Sequence, residues 1–118
     1  MSKRGNLEFL YDIREAIERI EVYAGKLDYK KFLADKKTQD AVVRNLEIIG
    51  EAAKNVSVEF KKEYKSVEWK KLAGLRDKIV HFYFGVNWDI VWDVVQNRMP
   101  ELKGQIEDIL EAAGENEE

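Results

Sequence analysis

One short segment of the chain, GLRDKIVHFYFG (Gly74–Gly85), holds three side chains that could take part in chemistry. They are Arg76, His81 and Tyr83, and His81 is the only histidine in the sequence. A guanidinium can hold two phosphate oxygens and offset the charge that grows on them. An imidazole with a pKa near neutrality can take a proton from a hydroxyl or give one to a leaving oxygen. Arginine and histidine are therefore the smallest set of groups for metal-free RNA cleavage, in which the 2′-hydroxyl attacks the adjacent phosphate.

Each of these side chains also has an ordinary structural use, and the sequence leaves both interpretations open. Arg76 can pair with an acid on another helix, and Tyr83 can pack at the edge of the core with its hydroxyl in water. A lone histidine is more often structural or simply exposed. On an ideal helix, however, His81 lies nearly opposite the core stripe, near Asp77 and Phe84. That placement predicts contact with a second copy of the chain, which would bring two histidines to one cleft.

The composition argues against several other kinds of site. The 118 residues include no cysteine and one histidine, which excludes disulfides and thiolate chemistry and argues against zinc or iron. An all-carboxylate magnesium site stays open. We expect no cofactor. The first residues are basic but no long apolar run follows them, so we expect no signal peptide, no membrane span and a cytoplasmic location.

Charge is distributed unevenly along the chain, although the net charge is only −3. Residues 60–78 contain seven Lys or Arg and three acids, whereas residues 101–118 contain seven acids and one Lys. The weakly acidic total argues against a protein that coats nucleic acid generally. The basic section, which includes Arg76, is either a solvated helical surface or a local anchor for phosphate.

Apolar residues recur at steps of three and four along most of the chain, which predicts helices. We predict a first helix that ends at Gly25, a short turn or helix near residues 27–37, and a long helix from about Thr38 to Val56. Gly50 lies inside the long helix, where glycine costs stability relative to alanine. Its presence there predicts close packing against another helix.

The second half of the sequence predicts further helices. A connector at residues 57–66 should precede a helix that begins near residue 67 or 68 and runs through Tyr83. Gly85 should end that helix. Asn87 is a good N-cap for the next helix, and Pro100 fits the first turn of another helical piece or a kink.

These elements predict an all-α fold, because no segment alternates like a strand. We expect an up-and-down bundle of four main helices with a short additional helix. The length predicts a single domain over residues 1–118, in which the acidic tail, 113–118, frays.

The segment with Arg76 resembles a known family, the HepT-like toxins of the HEPN superfamily, which are small helical ribonucleases of prokaryotes. The family motif is R-x-x-x-x-H-x-Y, usually with a polar residue after the arginine. Arg76, Asp77, His81 and Tyr83 match that motif. The resemblance extends over roughly residues 7–110. Three further segments carry it: QDAVVRNLEIIGEAAKNVS (39–57), WKKLAGLRD (69–77) and VWDVVQNRMPELKGQI (91–106).

The resemblance implies a homodimer whose two motifs meet in a cleft, and a metal-independent RNA endonuclease that acts as a toxin. It also implies an antitoxin of the MntA type, a minimal nucleotidyltransferase that transfers AMP to the motif tyrosine and silences the nuclease. Carried over to this sequence, Arg76 and His81 are catalytic and Asp77 supports them. Tyr83 is the modification target.

Asp77 stands where asparagine is common in the family. An acid there adds negative charge beside a phosphate site, and four residues before His81 on a helix it could orient the imidazole. The alternative function is a non-catalytic helical subunit that binds a nucleotidyltransferase or a nucleotide.

Overall fold

The structure, a computed structural model, describes residues 5–81 and 85–117. Nearly all of this part of the chain is helical. The helices in chain order are α1 (Asn6–Ala24), α2 (Tyr29–Ala34), α3 (Lys36–Asn55), α4 (Val58–Glu63), α5 (Trp69–Ala73), α6 (Leu75–Ile79), α7 (Trp88–Asp93) and α8 (Met99–Glu117). A π-helical turn (Val94–Arg98) joins α7 to α8, and two-residue strands β1 (Val80–His81) and β2 (Gly85–Val86) lie between α6 and α7. The predicted all-α fold class is confirmed, with one short strand pair added.

The core lies where α1 packs along α3 and where α8 packs on α1. Side chains at helical spacing, among them Leu10, Ile13 and Ile17 of α1 and Leu46 and Ile49 of α3, are completely buried. The first helix ends as predicted, since Gly25 follows its last residue and donates its N–H to the carbonyl oxygen of Glu21. The α1–α3 pair is thus the scaffold on which the rest of the chain packs.

Gly50 allows α3 and α5 to approach closely. A Cβ atom on Gly50 would lie 3.0 Å from the carbonyl oxygen of Leu72, closer than almost all real side chains approach a neighbouring atom. The close packing predicted from a glycine inside a helix is therefore confirmed. It holds α5, and the short helix α6 that follows, against the middle of α3.

The segment after α5 differs from the prediction of one helix through Tyr83. Helix α5 ends at Ala73 and α6 ends at Ile79, after which the backbone is extended. Strand β1 pairs with β2 in antiparallel fashion, with Val80 opposite Val86 and His81 opposite Gly85. The helical prediction is wrong for residues 80 and 81.

The residue types explain why the helix stops at Ile79. Ile79 and Val80 are β-branched and aromatic residues follow them, and both types favour extended backbone. Gly85 has φ of 78°, in the left-handed region that glycine adopts without steric cost. The Asn87 N–H then donates to the carbonyl oxygen of Ile79 at 2.8 Å, and the Asn87 side chain caps α7 by accepting the N–H of Ile90, as predicted.

Aromatic side chains hold α2 against α7. The ring of Phe32, which is completely buried, lies 5.8 Å from the ring of Trp88 and 5.1 Å from that of Trp92. The Tyr29 hydroxyl donates to Oδ1 of Asp89. This hydrogen bond, with smaller effects of burial and of the carboxylate charge, raises the pKa of Tyr29 above its usual 10.0.

Pro100 is the second residue of α8 and therefore lies in the first turn of a helix, as predicted, directly after the π turn. Proline has no N–H, and its ring clashes with the carbonyl four residues before it, which here belongs to Gln96. The Met99 N–H donates to the carbonyl oxygen of Val94, five residues back, so the bonding pattern widens just before the proline. Helix α8 continues to Glu117.

Candidate active site

Arg76 lies on α6 and reaches across to α3. Its Nε donates a 3.0 Å hydrogen bond to Oε2 of Glu47, which also makes the two residues an ion pair. The Arg76 side chain is 62% exposed, and its two terminal nitrogens have no acceptor among the described residues. The ion pair with an acid on another helix, which the sequence left open as a structural use, is thus present, while the end of the guanidinium faces solvent.

The groove beside Arg76 has a volume of about 420 Å³ and carries charges of both signs. Its charged lining residues are Arg44 and Arg76, together with Asp12, Glu47 and Glu51. Acids therefore outnumber bases, so the groove of a single copy is a weak site for an anion. A phosphate can reach the terminal nitrogens of Arg76, but the Glu47 carboxylate on Nε lowers the affinity of the guanidinium for it.

Asp77 and His81 are not brought onto one helical face. Because α6 ends at Ile79, their four-residue spacing no longer stacks them. Asp77 is exposed and makes no hydrogen bond or ion pair with any described residue. The backbone of His81 lies in β1, whereas its side chain and the whole of Tyr83 lie outside what the structure describes.

Asn45, in the middle of α3, is a polar residue of this region that the sequence analysis missed. It is only 4% exposed, and its Nδ2 donates to the carbonyl oxygen of Ala41 at 2.8 Å. Its Oδ1 is buried and has no hydrogen-bond partner in the described part of the chain. The signal in the sequence was the position of this amide, three residues after Val42 and four before Ile49. That spacing places it on the apolar stripe of α3, where an apolar side chain is expected.

Asn45 lines a cavity that adjoins the groove of Arg76. A cavity of about 170 Å³ between α1 and α3 is lined by Asn45, and it shares Asp12 and Ile48 with the groove. A buried acceptor without a donor costs roughly 1–3 kcal/mol. We call this surface, around Asp12, Asn45, Ile48 and Arg76, the α1–α3 face.

Neither a metal site nor a membrane-crossing helix is evident over residues 5–81 and 85–117. Among the side chains that the structure describes, which exclude that of His81, no three of His, Cys, Asp or Glu are grouped so as to hold a metal ion. None of the helices in the same ranges is long and apolar enough to cross a membrane.

Comparison with known proteins decides the family. A family model described as ribonuclease HepT-like matches residues 13–109, which include Arg76, Asp77, His81 and Tyr83. The chain belongs to the HepT-like ribonuclease family. No solved structure matches it.

Relatives of this HepT-like chain come from archaea and bacteria. A Methanocaldococcus jannaschii protein assigned by name as an RNase is 46% identical over 118 residues, which is 99% of this chain and 98% of the relative. A Thermococcus cleftensis protein named "Probable ribonuclease HepT" is 47% identical over 105 residues, covering 89% and 96%. A Caldanaerobacter subterraneus protein assigned by name as an RNase is 43% identical over 95 residues, covering 80% and 81%.

Proposed function

We propose that this protein is a metal-independent endoribonuclease, the toxin of a type VII HepT/MntA toxin–antitoxin pair. The observation that carries the proposal is the match to the HepT-like ribonuclease family over residues 13–109, within which Arg76, Asp77, His81 and Tyr83 fit the motif. The relatives named as RNases support the same activity. The exposed end of the Arg76 guanidinium is suited to a phosphate.

The proposed cleavage uses two histidines and the RNA's own hydroxyl. His81 of one copy takes the proton of the 2′-hydroxyl while that oxygen attacks the adjacent phosphorus. His81 of a second copy gives a proton to the departing 5′-oxygen. Arg76 holds the non-bridging phosphate oxygens as their charge grows. The products are a 2′,3′-cyclic phosphate and a 5′-hydroxyl, and Asp77 supports the site from the exposed side of α6.

The cleavage test uses purified protein and an end-labelled RNA. We expect RNA to be cut in EDTA, the products to carry a 2′,3′-cyclic phosphate, and DNA of the same sequence to stay intact because it lacks the hydroxyl. His81→Ala should lower the rate by about 10²–10⁴-fold, the usual contribution of a general acid or base. If a chelator abolishes cleavage, a carboxylate–magnesium mechanism replaces this one.

A homodimer through the α1–α3 face is part of the proposal. Ile48 on this face is only half-buried, and apolar contact with a second copy would cover it. The groove of Arg76 holds both acids and bases, so two copies related by a two-fold axis can pair opposite charges across it.

The dimer is tested with Ile48→Glu, which places a charge on the half-buried centre of the α1–α3 face. We expect this variant to be a monomer by light scattering and to lose RNA cleavage. Leu33→Glu is the matched control, because Leu33 is an exposed apolar residue on α2, away from that face. A wild-type protein that is monomeric at micromolar concentration, yet cleaves RNA, would contradict the composite site.

Silencing by AMPylation of Tyr83 completes the proposal. Transfer of AMP to the phenol would place phosphate and adenosine near Arg76, where they would compete for the guanidinium and fill the cleft. The test incubates wild type and Tyr83→Phe with the MntA-type nucleotidyltransferase and ATP, followed by mass measurement of the intact chains. Tyr11→Phe is the control, since Tyr11 is 46% exposed and is another available phenol. Equal gains of AMP mass in wild type and Tyr83→Phe would show that Tyr83 is not the acceptor.

The second candidate function is a non-catalytic subunit that binds a nucleotidyltransferase or a nucleotide. The ion pair between Arg76 and Glu47 favours it, because a carboxylate already occupies part of the guanidinium. This candidate predicts that RNA stays intact with wild-type protein. It also predicts that the nucleotidyltransferase binds wild type and His81→Ala equally well.

A further inference from the structure

A cavity of about 290 Å³ lies between α5, α6, the π turn and the start of α8. Its apolar lining includes Leu75, Met99 and Leu102, each of which is at most 6% exposed. The volume lies near the lower end of small-molecule sites, roughly 300–1,000 Å³. An apolar cavity of this size can take one flat ring system.

Two of the three cations that line this cavity pair with one acid, Glu68. Lys71 Nζ lies 2.7 Å from one carboxylate oxygen of Glu68, and Arg98 Nη1 lies 3.6 Å from the other. Lys78 also lines the cavity and makes no ion pair with a described residue. Counting Glu101, which lines it as well, the rim carries three positive and two negative side chains. In contrast to the groove of Arg76, this site is suited to an anion.

The cavity and the groove of Arg76 lie on opposite sides of α6. Arg76 and Lys78 are two residues apart, and two residues turn a helix by about 200°. Arg76 accordingly lines the groove against α3, whereas Lys78 lines the cavity against the π turn and α8. A helix with its side chains is only about 10–12 Å across, so a short single strand can contact both sides.

We propose that this cavity binds one base of the RNA substrate, with a neighbouring phosphate held by Lys78 and Arg98. The inference rests on the proposed ribonuclease function. Single-stranded RNA is usually recognised through unstacked bases that lie against apolar side chains or arginine planes, and the lining of this cavity offers both. Glu68 competes with the phosphate for Arg98, so it limits the affinity for RNA.

Two substitutions that change the charge of the rim in opposite directions test the proposed phosphate contact. Binding of a fluorescent single-stranded RNA is measured by anisotropy in a His81→Ala background, where the RNA stays intact. Lys78→Gln should weaken binding about five- to tenfold, whereas Glu68→Gln should tighten it several-fold. Lys70→Gln is the matched control, because Lys70 is a lysine of α5 that does not line the cavity. Its substitution also removes one positive charge, and it should change binding less than about twofold. Equal weakening by Lys78→Gln and Lys70→Gln would overturn the inference.

A scan with abasic RNA tests the base itself. Each nucleotide of the RNA in turn is replaced by one without a base. At a single position, this change should lower the affinity for protein that keeps Lys78. It should lower the affinity less for the Lys78→Gln variant. A flat scan overturns the inference, and if AMP then binds in a Lys78-dependent manner, the cavity takes a free nucleotide instead. Wild-type protein that shows the base-dependent binding but cleaves no RNA would refute the ribonuclease proposal and leave the binding site standing.

Discussion

Replacing Glu47 with glutamine should increase RNA binding and cleavage. In the structure the Glu47 carboxylate accepts the Nε hydrogen of Arg76, so a phosphate that needs this guanidinium must compete with it. Glutamine keeps the size of the side chain and an oxygen acceptor but removes the charge. The groove would then hold two acids and two bases instead of three acids and two bases.

The size of the effect follows from the exposure of the pair. The Arg76 side chain is 62% exposed and that of Glu47 is 33% exposed, and ion pairs at such positions contribute about 0.2–1 kcal/mol. If the whole of that free energy is returned to phosphate binding, RNA affinity rises about 1.4- to fivefold. The free energy of unfolding should fall by less than about 1 kcal/mol. Both effects should shrink in higher salt, which screens exposed charges.

The assay compares kcat/KM on one labelled RNA for wild type, Glu47→Gln and Glu51→Gln. Glu51 lies one turn further along α3 and lines the same groove without an ion pair to Arg76, so its substitution measures the general effect of one charge. The difference between the two variants isolates the competition for Arg76. A tenfold or larger loss of kcat/KM in Glu47→Gln would refute this reasoning and show that Glu47 positions the guanidinium. Equal gains in both variants would show that the ion pair does not compete.

Three further predictions concern the scaffold. Gly50→Val should lower the free energy of unfolding by about 1–3 kcal/mol in urea titrations, because its side chain would meet the carbonyl of Leu72. The Tyr29–Asp89 hydrogen bond raises the pKa of Tyr29. Its contribution to stability is therefore present below pH 10.0 and is lost as pH rises through the raised folded-state pKa. The Tm difference between wild type and Tyr29→Phe should disappear in strong alkali. Asp35 caps α3 by accepting a hydrogen bond from the N–H of Thr38, and this bond lowers the pKa of Asp35 below its usual 3.8. The contribution of Asp35 to stability is therefore present above pH 3.8 and is lost as pH falls through the lowered pKa. The Tm gap between wild type and Asp35→Asn should shrink correspondingly in acid.

The long helices could be predicted because several signals agree along them. In α1 and α3 apolar residues recur at helical spacing over several turns, and Gly25 marks a helix end that the structure confirms. The contact made by Gly50 was also predictable, since a glycine that costs helix stability is usually retained for packing.

The segment around His81 could not be predicted in the same way. Ile79, Val80 and the aromatic residues after them fit an apolar helical stripe and a strand equally well by spacing alone. The pairing with Val86 decides between the two, and it depends on a contact that local periodicity does not encode. The helical-wheel argument that placed His81 opposite the core therefore does not apply.

The partners of the site residues were equally beyond the sequence. That Arg76 would pair with Glu47, among many acids in the chain, depends on how α6 is placed against α3. The unpaired oxygen of Asn45 depends in turn on the packing of α1 against α3. The sequence identifies residue types suited to phosphate chemistry, whereas their neighbours arise from tertiary packing.

The tight contact at Gly50 also determines how the protein can be engineered for heat resistance. Replacing helical glycines with alanine is a general route to higher stability, since alanine favours the helix by about 1 kcal/mol. At Gly50 that gain is set against displacement of the α5 backbone, and with it the helix that carries Arg76. At Gly104 and Gly114 of α8 a Cβ atom would meet nothing within 4 Å. Thermostable versions of this protein are therefore best sought along its last helix.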